Sequence, residues 1–144
     1  MYMITIIAGG KKNKDYVLEA CAEYEKRLKK PYNLVWEFVD EEKLADKVLN
    51  SAKEKFVVLL DENGEMLRSE ELARSLEKNF NTNRETVFVI GGAFGHFPTE
   101  LKARADLILS LSKMVLPHQL CRIILTEQIY RAQEINGGGK YHHA

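Results

Sequence analysis

A chain of 144 residues, 45% hydrophobic and 29% charged, has enough apolar side chain for one packed domain and too much for a disordered polymer. Its 21 basic and 21 acidic residues cancel, which excludes recognition of nucleic acid through the field of the whole molecule and leaves that task to local patches. Two cysteines, Cys21 and Cys121, lie outside any metal or CxxC spacing and read as buried thiols in a reducing cytosol. The apolar start at residues 1–8 is too short for a membrane span and has no basic segment or cleavage site, so a cytoplasmic protein with no membrane contact is expected.

Residues 3–8 (MITIIA) form an uninterrupted β-rich run suited to a strand buried on both faces. Val17, Ala20, Cys21, Tyr24 and Leu28 recur at helical spacing until Pro31 ends the run. A strand is expected at 34–39, a helix on the stripe Leu44, Ala45, Val48, Leu49 and Ala52, and a strand at 56–60 closed by the turn Asp61-Glu62-Asn63-Gly64. Ser69 reads as the N-cap of a helix with Glu70 and Glu71 in its first turn, running to about Asn79. A strand at 86–90, a short helix after Pro98, a strand at 107–110 and a long helix after Pro117 complete the order βαβαβαβαβα. Such alternation predicts a single α/β domain over residues 1–144, a largely parallel sheet with helices on both faces.

Ligands of parallel α/β sheets bind beyond the carboxyl ends of the strands. Three successive strand ends carry notable loops: residues 60–64, 91–95 and 111–116. The second is GGxxG and not GxGxxG, no GK[ST] is present, and no acidic residue stands about twenty positions on to hold a ribose, which argues against dinucleotide and ATP sites. The third mixes apolar side chains with free amides, as an adenosyl group without phosphates requires. Leu111, Met114 and Leu116 are equally readable as core residues of a strand-to-helix connection.

Pro117 opens the last helix at a position where its missing amide costs nothing, placing His118 near the pocket mouth in a structural or a catalytic role. Arg122 and Arg131 suit phosphate contacts or solvated helix faces, and Glu127 can pair across a subunit interface. Tyr141-His142-His143 offers an aromatic ring for base stacking and imidazoles for proton transfer, or is a plain tail. A metal is not expected, because His96 and His118 stand alone in the sequence.

Seven segments in this order carry a resemblance: ITIIAGGKK, EYEKRL, LLDENGEMLRSEELA, FVIGGAFG, LSLSKMVLPH, EQIYRA and YHH. The chain resembles, over its whole length, the bacterial SPOUT-class methyltransferases that methylate N3 of a pseudouridine in 23S ribosomal RNA. The resemblance implies an α/β parallel-sheet SPOUT fold with a C-terminal trefoil knot and an S-adenosyl-L-methionine site. Leu60, Gly91, Leu111, Ser112, Lys113, Met114, Val115 and Leu116 match its cofactor positions, with Gly92 and Gly95 shaping the same loop. It further implies a homodimer acting on 23S rRNA within the ribosome, with Arg131, Tyr141 and His142 facing the RNA. His142, Tyr141 and His118 are the candidates to assist proton loss, His142 first because an imidazole titrates near neutrality. Phe94, Val115 and Lys140 depart from the family pattern. A SPOUT methyltransferase of transfer RNA, or a non-enzymatic nucleotide-binding α/β module, are the alternatives.

Overall fold

The computed structural model describes residues 2–92 and 96–143. Five strands, β1 (Ile4–Gly9), β2 (Leu34–Val39), β3 (Phe56–Met66), β4 (Thr86–Ile90) and β5 (Leu107–Ser110), form one sheet in the order β2-β1-β4-β3-β5. Every pairing is parallel. The helices are α1 (Asp15–Glu25), α2 (Leu44–Ser51, entered through a 3-10 turn at Glu41–Lys43), α3 (Ser69–Asn81), α4 (Thr99–Arg104) and α5 (His118–Asn136).

The strands divide their side chains between two cores with the period of two that a pleated strand imposes. Ile4, Ile6, Val58, Phe88 and Ile90 point to one face, where α3 and α5 add Leu72, Leu76, Leu125 and Ile129. Ile7, Val57, Leu59, Val87 and Val89 point to the other, against Leu44 and Val48 of α2 and Leu101 of α4. Burial on both faces is what the continuous apolar runs of β1 and β4 require, and all residues of these two strands' apolar stretches are buried.

Two boundaries differ from expectation. Ser69 is the first helical residue and not the cap: its hydroxyl donates to Gln128 Oε1 at 2.7 Å, while Glu71 reaches back to accept the Arg68 amide at 2.8 Å. The tertiary bond to α5 claims the serine, and a glutamate does the capping. The turn at 61–64 does not end β3 either. Leu60 and Glu65 both pair with Leu109, so four residues buckle out of the ladder before the strand resumes to Met66.

Gly64 is where that bulge needs a glycine. A Cβ there would sit 2.5 Å from the carbonyl oxygen of Ile108 and 2.7 Å from its carbon, which are backbone atoms of β5. Gly64→Ala must push β5 off β3, and we expect a loss of about 2 kcal/mol in urea unfolding. Gly138→Ala is the control: its φ of +74° carries a backbone penalty, but nothing lies within 4 Å of the added carbon, so about 1 kcal/mol is expected. Equal midpoints for the two variants would contradict the bulge account.

The sheet order separates consecutive elements in the last part of the chain. From β4 the chain passes over β3 to reach the edge position of β5. From β5 it returns across the same strand ends, because the start of α5 lies against the loop after β1: Gln119 accepts the Lys14 amide at 3.2 Å and donates to the Lys12 carbonyl at 3.3 Å.

Candidate active site

At the carboxyl ends of β3, β4 and β5 lies a cleft of about 770 Å³. Leu60 from the end of β3, Ile90, Gly91 and Gly92 from the end of β4, and Leu109, Leu111, Ser112, Met114, Val115 and Leu116 from β5 and its loop all line it. His118 and Cys121 on the first turn of α5 close one side. The three loops singled out in the sequence thus share one cavity. Gly95 and Phe94 fall outside the described residues.

Two features of the wall bear on what it can hold. Met114 is 76% exposed, so the core reading fails for it, and its neighbour Val115 is 79% exposed; Leu111 packs partly against the core, as that reading requires. An uncovered methionine and valine at a cleft rim supply apolar cover for a flat ligand. The loop's shape is also fixed from within. The Ser110 hydroxyl donates to the Ser112 carbonyl at 2.8 Å and the Ser112 hydroxyl accepts the Met114 amide at 2.9 Å. Lys113 does not line the cleft, but among the described residues the amides of Val115 and Leu116, which do, meet no acceptor, leaving bare donors beside apolar cover. That is the donor set an adenine edge needs, so the wall fits an adenosyl group.

Gly92 comes so close to a side chain that a Cβ would lie 2.5 Å from the carboxylate of Glu41. Glu41 Oε1 is buried and without a hydrogen-bond partner among the described residues, and the sequence reading missed this residue entirely. It follows β2, whose position next to β1 is set by sheet order and not by any local motif. His118 is held below its ordinary pKa, first by burial and then by the Arg122 charge, so its imidazole is neutral at physiological pH and able to accept a proton.

Arg122 neither meets solvent nor stands ready for a phosphate. It is 0% exposed and donates from Nη1 to the Lys11 carbonyl at 2.8 Å and Asn13 Oδ1 at 3.1 Å, and from Nη2 to the Gly9 carbonyl at 3.2 Å. It pins the loop after β1 to α5. Both cysteines are free thiols, Cys21 buried and Cys121 half-buried, and burial raises the pKa of each. They are inert at neutral pH.

The tail folds elsewhere in this chain. Tyr141, His142 and Arg131 do not line the cleft. They pack beside α5 some thirteen residues along from His118, a separation of roughly 20 Å at the helical rise. Glu127 organises the group within its own chain: it accepts from Arg131 Nη2 at 2.7 Å and from the Tyr141 hydroxyl at 2.8 Å. The Arg131 guanidinium lies 4.9 Å from the Tyr141 ring centroid, and its Nη1 is 2.9 Å from His142 Nδ1. A guanidinium can only donate, so Nδ1 is the unprotonated nitrogen and the proton resides on Nε2, 3.5 Å from Glu70 Oε2. Burial and the Glu127 carboxylate push Tyr141 up to about 12, which keeps its phenol protonated at any physiological pH.

Among the described residues no cluster of three or more His, Cys, Asp or Glu could hold a metal, and no helix is long and apolar enough to cross a membrane.

The same arrangement of strands recurs in solved methyltransferases. A probable methylase from Haemophilus influenzae superposes with a TM-score of 0.61 over 99% of this chain and 71% of its own, at 12% identity. The SpoU methyltransferase AviRb from Streptomyces viridochromogenes, solved in complex with the cofactor AdoMet, has a TM-score of 0.50 at 10% identity, over 96% of this chain and 59% of its own. These likenesses show a shared fold. Residues 2–142 match the family described as Predicted SPOUT methyltransferase, and the chain belongs to that family. Among curated relatives, the ribosomal RNA large subunit methyltransferase H of Caldicellulosiruptor bescii is 42% identical over 97% of this chain and 99% of its own length.

Proposed function

We propose that this chain, as one catalytic domain over its whole length, methylates N3 of a pseudouridine in 23S ribosomal RNA, acting in the cytoplasm as a homodimer on the assembled ribosome. The observation that carries the reading is the single cleft in which Gly91, Leu60 and the loop from Leu111 to Leu116 meet. The name of the 42% identical relative supports ribosomal RNA as the substrate over transfer RNA. The sheet order, with β3 between β4 and β5, and the return of α5 to the loop after β1 support a trefoil knot in the C-terminal part.

When bound, S-adenosyl-L-methionine supplies a methyl group activated by an adjacent sulfonium. Leu60, Gly91, Gly92 and residues 111–116 hold that donor through main-chain groups and apolar cover. An imide nitrogen is a poor nucleophile until its proton leaves, so the protein must align the two reactants and accept a proton. Alignment contributes roughly 7 to 11 kcal/mol, against about a hundred- to ten-thousandfold from a general base. The tail lies too far from its own cleft to serve it, and a second copy would present Tyr141 and His142 to the first. Exposed Tyr16 and Leu18 on α1, Leu120 on α5, and Met114 and Val115 beside the cleft support such a pairing.

A chain without net charge binds naked RNA weakly, which favours a particle whose shape adds contacts. Mass spectrometry of 23S rRNA from cells lacking the protein should show one pseudouridine without its methyl group, restored by the gene, and purified protein should modify ribosomes far better than a protein-free stem-loop. An unchanged 23S rRNA with altered transfer RNA would support the tRNA alternative. Absence of S-adenosylmethionine binding at millimolar ligand would leave the non-enzymatic module.

A further inference from the structure

Most of the cleft wall is apolar side chain or main chain, which suits an adenosyl group and does not suit a zwitterion. An ammonium and a carboxylate moved out of water need partners of their own. Two lie at the mouth. Asp61 follows Leu60 at the start of the β3 bulge, Lys102 projects from α4, and both line the cleft. Their Oδ2 and Nζ atoms are 3.9 Å apart, too far for a hydrogen bond. The aspartate is fixed, because its Oδ1 accepts the Asn63 amide at 2.9 Å and its side chain is only 18% exposed. The lysine is on a flexible stem. A fixed anion and a movable cation, held near each other without bonding, can open around a ligand at little cost.

We infer that Asp61 and Lys102 read the amino-acid end of the methyl donor, Asp61 taking its ammonium and Lys102 its carboxylate. The inference rests on the donor proposed above and adds the residues that select its charged end. The competing account is an ion pair that only tethers α4 to β3.

Calorimetry of the full-length protein separates these accounts with three ligands: S-adenosylmethionine, S-adenosylhomocysteine, and 5′-methylthioadenosine, which keeps the adenosine and sulfur but has no amino-acid end. Asp61→Asn retains an oxygen for the Asn63 amide and removes the charge. It should weaken the first two ligands by about 10- to 100-fold and change the third by less than about twofold. Lys102→Met should show the same selectivity with a smaller loss, and it carries the comparison should the aspartate variant fail to fold. Equal weakening of all three ligands, or no change in any, would overturn the inference, as would wild-type protein binding 5′-methylthioadenosine as tightly as the full donor. Wild-type protein that binds none of them would sink the donor assignment itself and this inference with it.

Discussion

Replacing His142 by alanine should slow single-turnover methylation of ribosomes by about a hundred- to ten-thousandfold while leaving the affinity for S-adenosylmethionine within about twofold. Under the proposed pairing of two copies, His142 is the first of three candidates. Tyr141 keeps its proton, because burial and Glu127 raise its pKa to about 12, and a phenol in that state can position a base but not deprotonate it. His118 faces its own cleft at the start of α5, where it is neutral, and is the candidate next in line. His142 is held by Arg131 through Nδ1, so releasing that one bond frees an unprotonated nitrogen near the end of the chain. The cofactor cleft contains none of these tail residues, which is why the two readouts should part: chemistry falls and donor binding does not. A single-turnover rate unchanged by the substitution would remove His142 from proton transfer, and an equal loss in the His118→Ala variant alone would move the role there.

Arg122→Met should cost about 3 kcal/mol of stability, near 10 °C in Tm for a domain of this size. Two effects compete. The substitution removes a guanidinium whose Nε has no partner among the described residues and whose burial is costly. Against this, it removes the donor of three acceptors at once, the buried Gly9 carbonyl, worth about 1 to 3 kcal/mol when left unpaired and dry, and the part-buried Lys11 carbonyl and Asn13 side chain, which also lose the tie between the loop and α5. Three acceptors outweigh one unpaired donor. Arg122→Lys, which keeps charge but lacks the fork that reaches all three, should fall between. Differential scanning calorimetry decides the matter; a midpoint within about 2 °C of wild type for the methionine variant would mean that the loop finds water instead.

The fold was legible because its strands are buried on both sides. Runs such as TVFVI at β4 can be little else when flanked by helical stripes, and the alternation then dictates a parallel sheet. Less legible were features whose partners are distant in sequence. Ser69 looked like a cap until Gln128 claimed it, and Asp61 looked like the end of a strand that in fact resumes at Glu65 against β5. Glu41 comes to Gly92, and Asp61 to Lys102, only through the order β2-β1-β4-β3-β5, which no local pattern encodes. Arg122 read as a helix-face charge because spacing does not reveal that α1 and the loop after β1 cover it. Of the residues that line the cleft, those in the glycine and leucine-rich loops were legible from backbone chemistry; the position of the tail depends on packing along α5 and was not.

Assembly of the cleft is also a matter of timing. Leu109, the loop that follows it and the first turn of α5 form one wall, and Leu125, Ile129 and Ala132 of that helix complete a core face, so the N-terminal three quarters of the chain have neither. Synthesis delivers these parts last. A chain stopped before Leu109 therefore lacks one wall of the pocket and part of one core face.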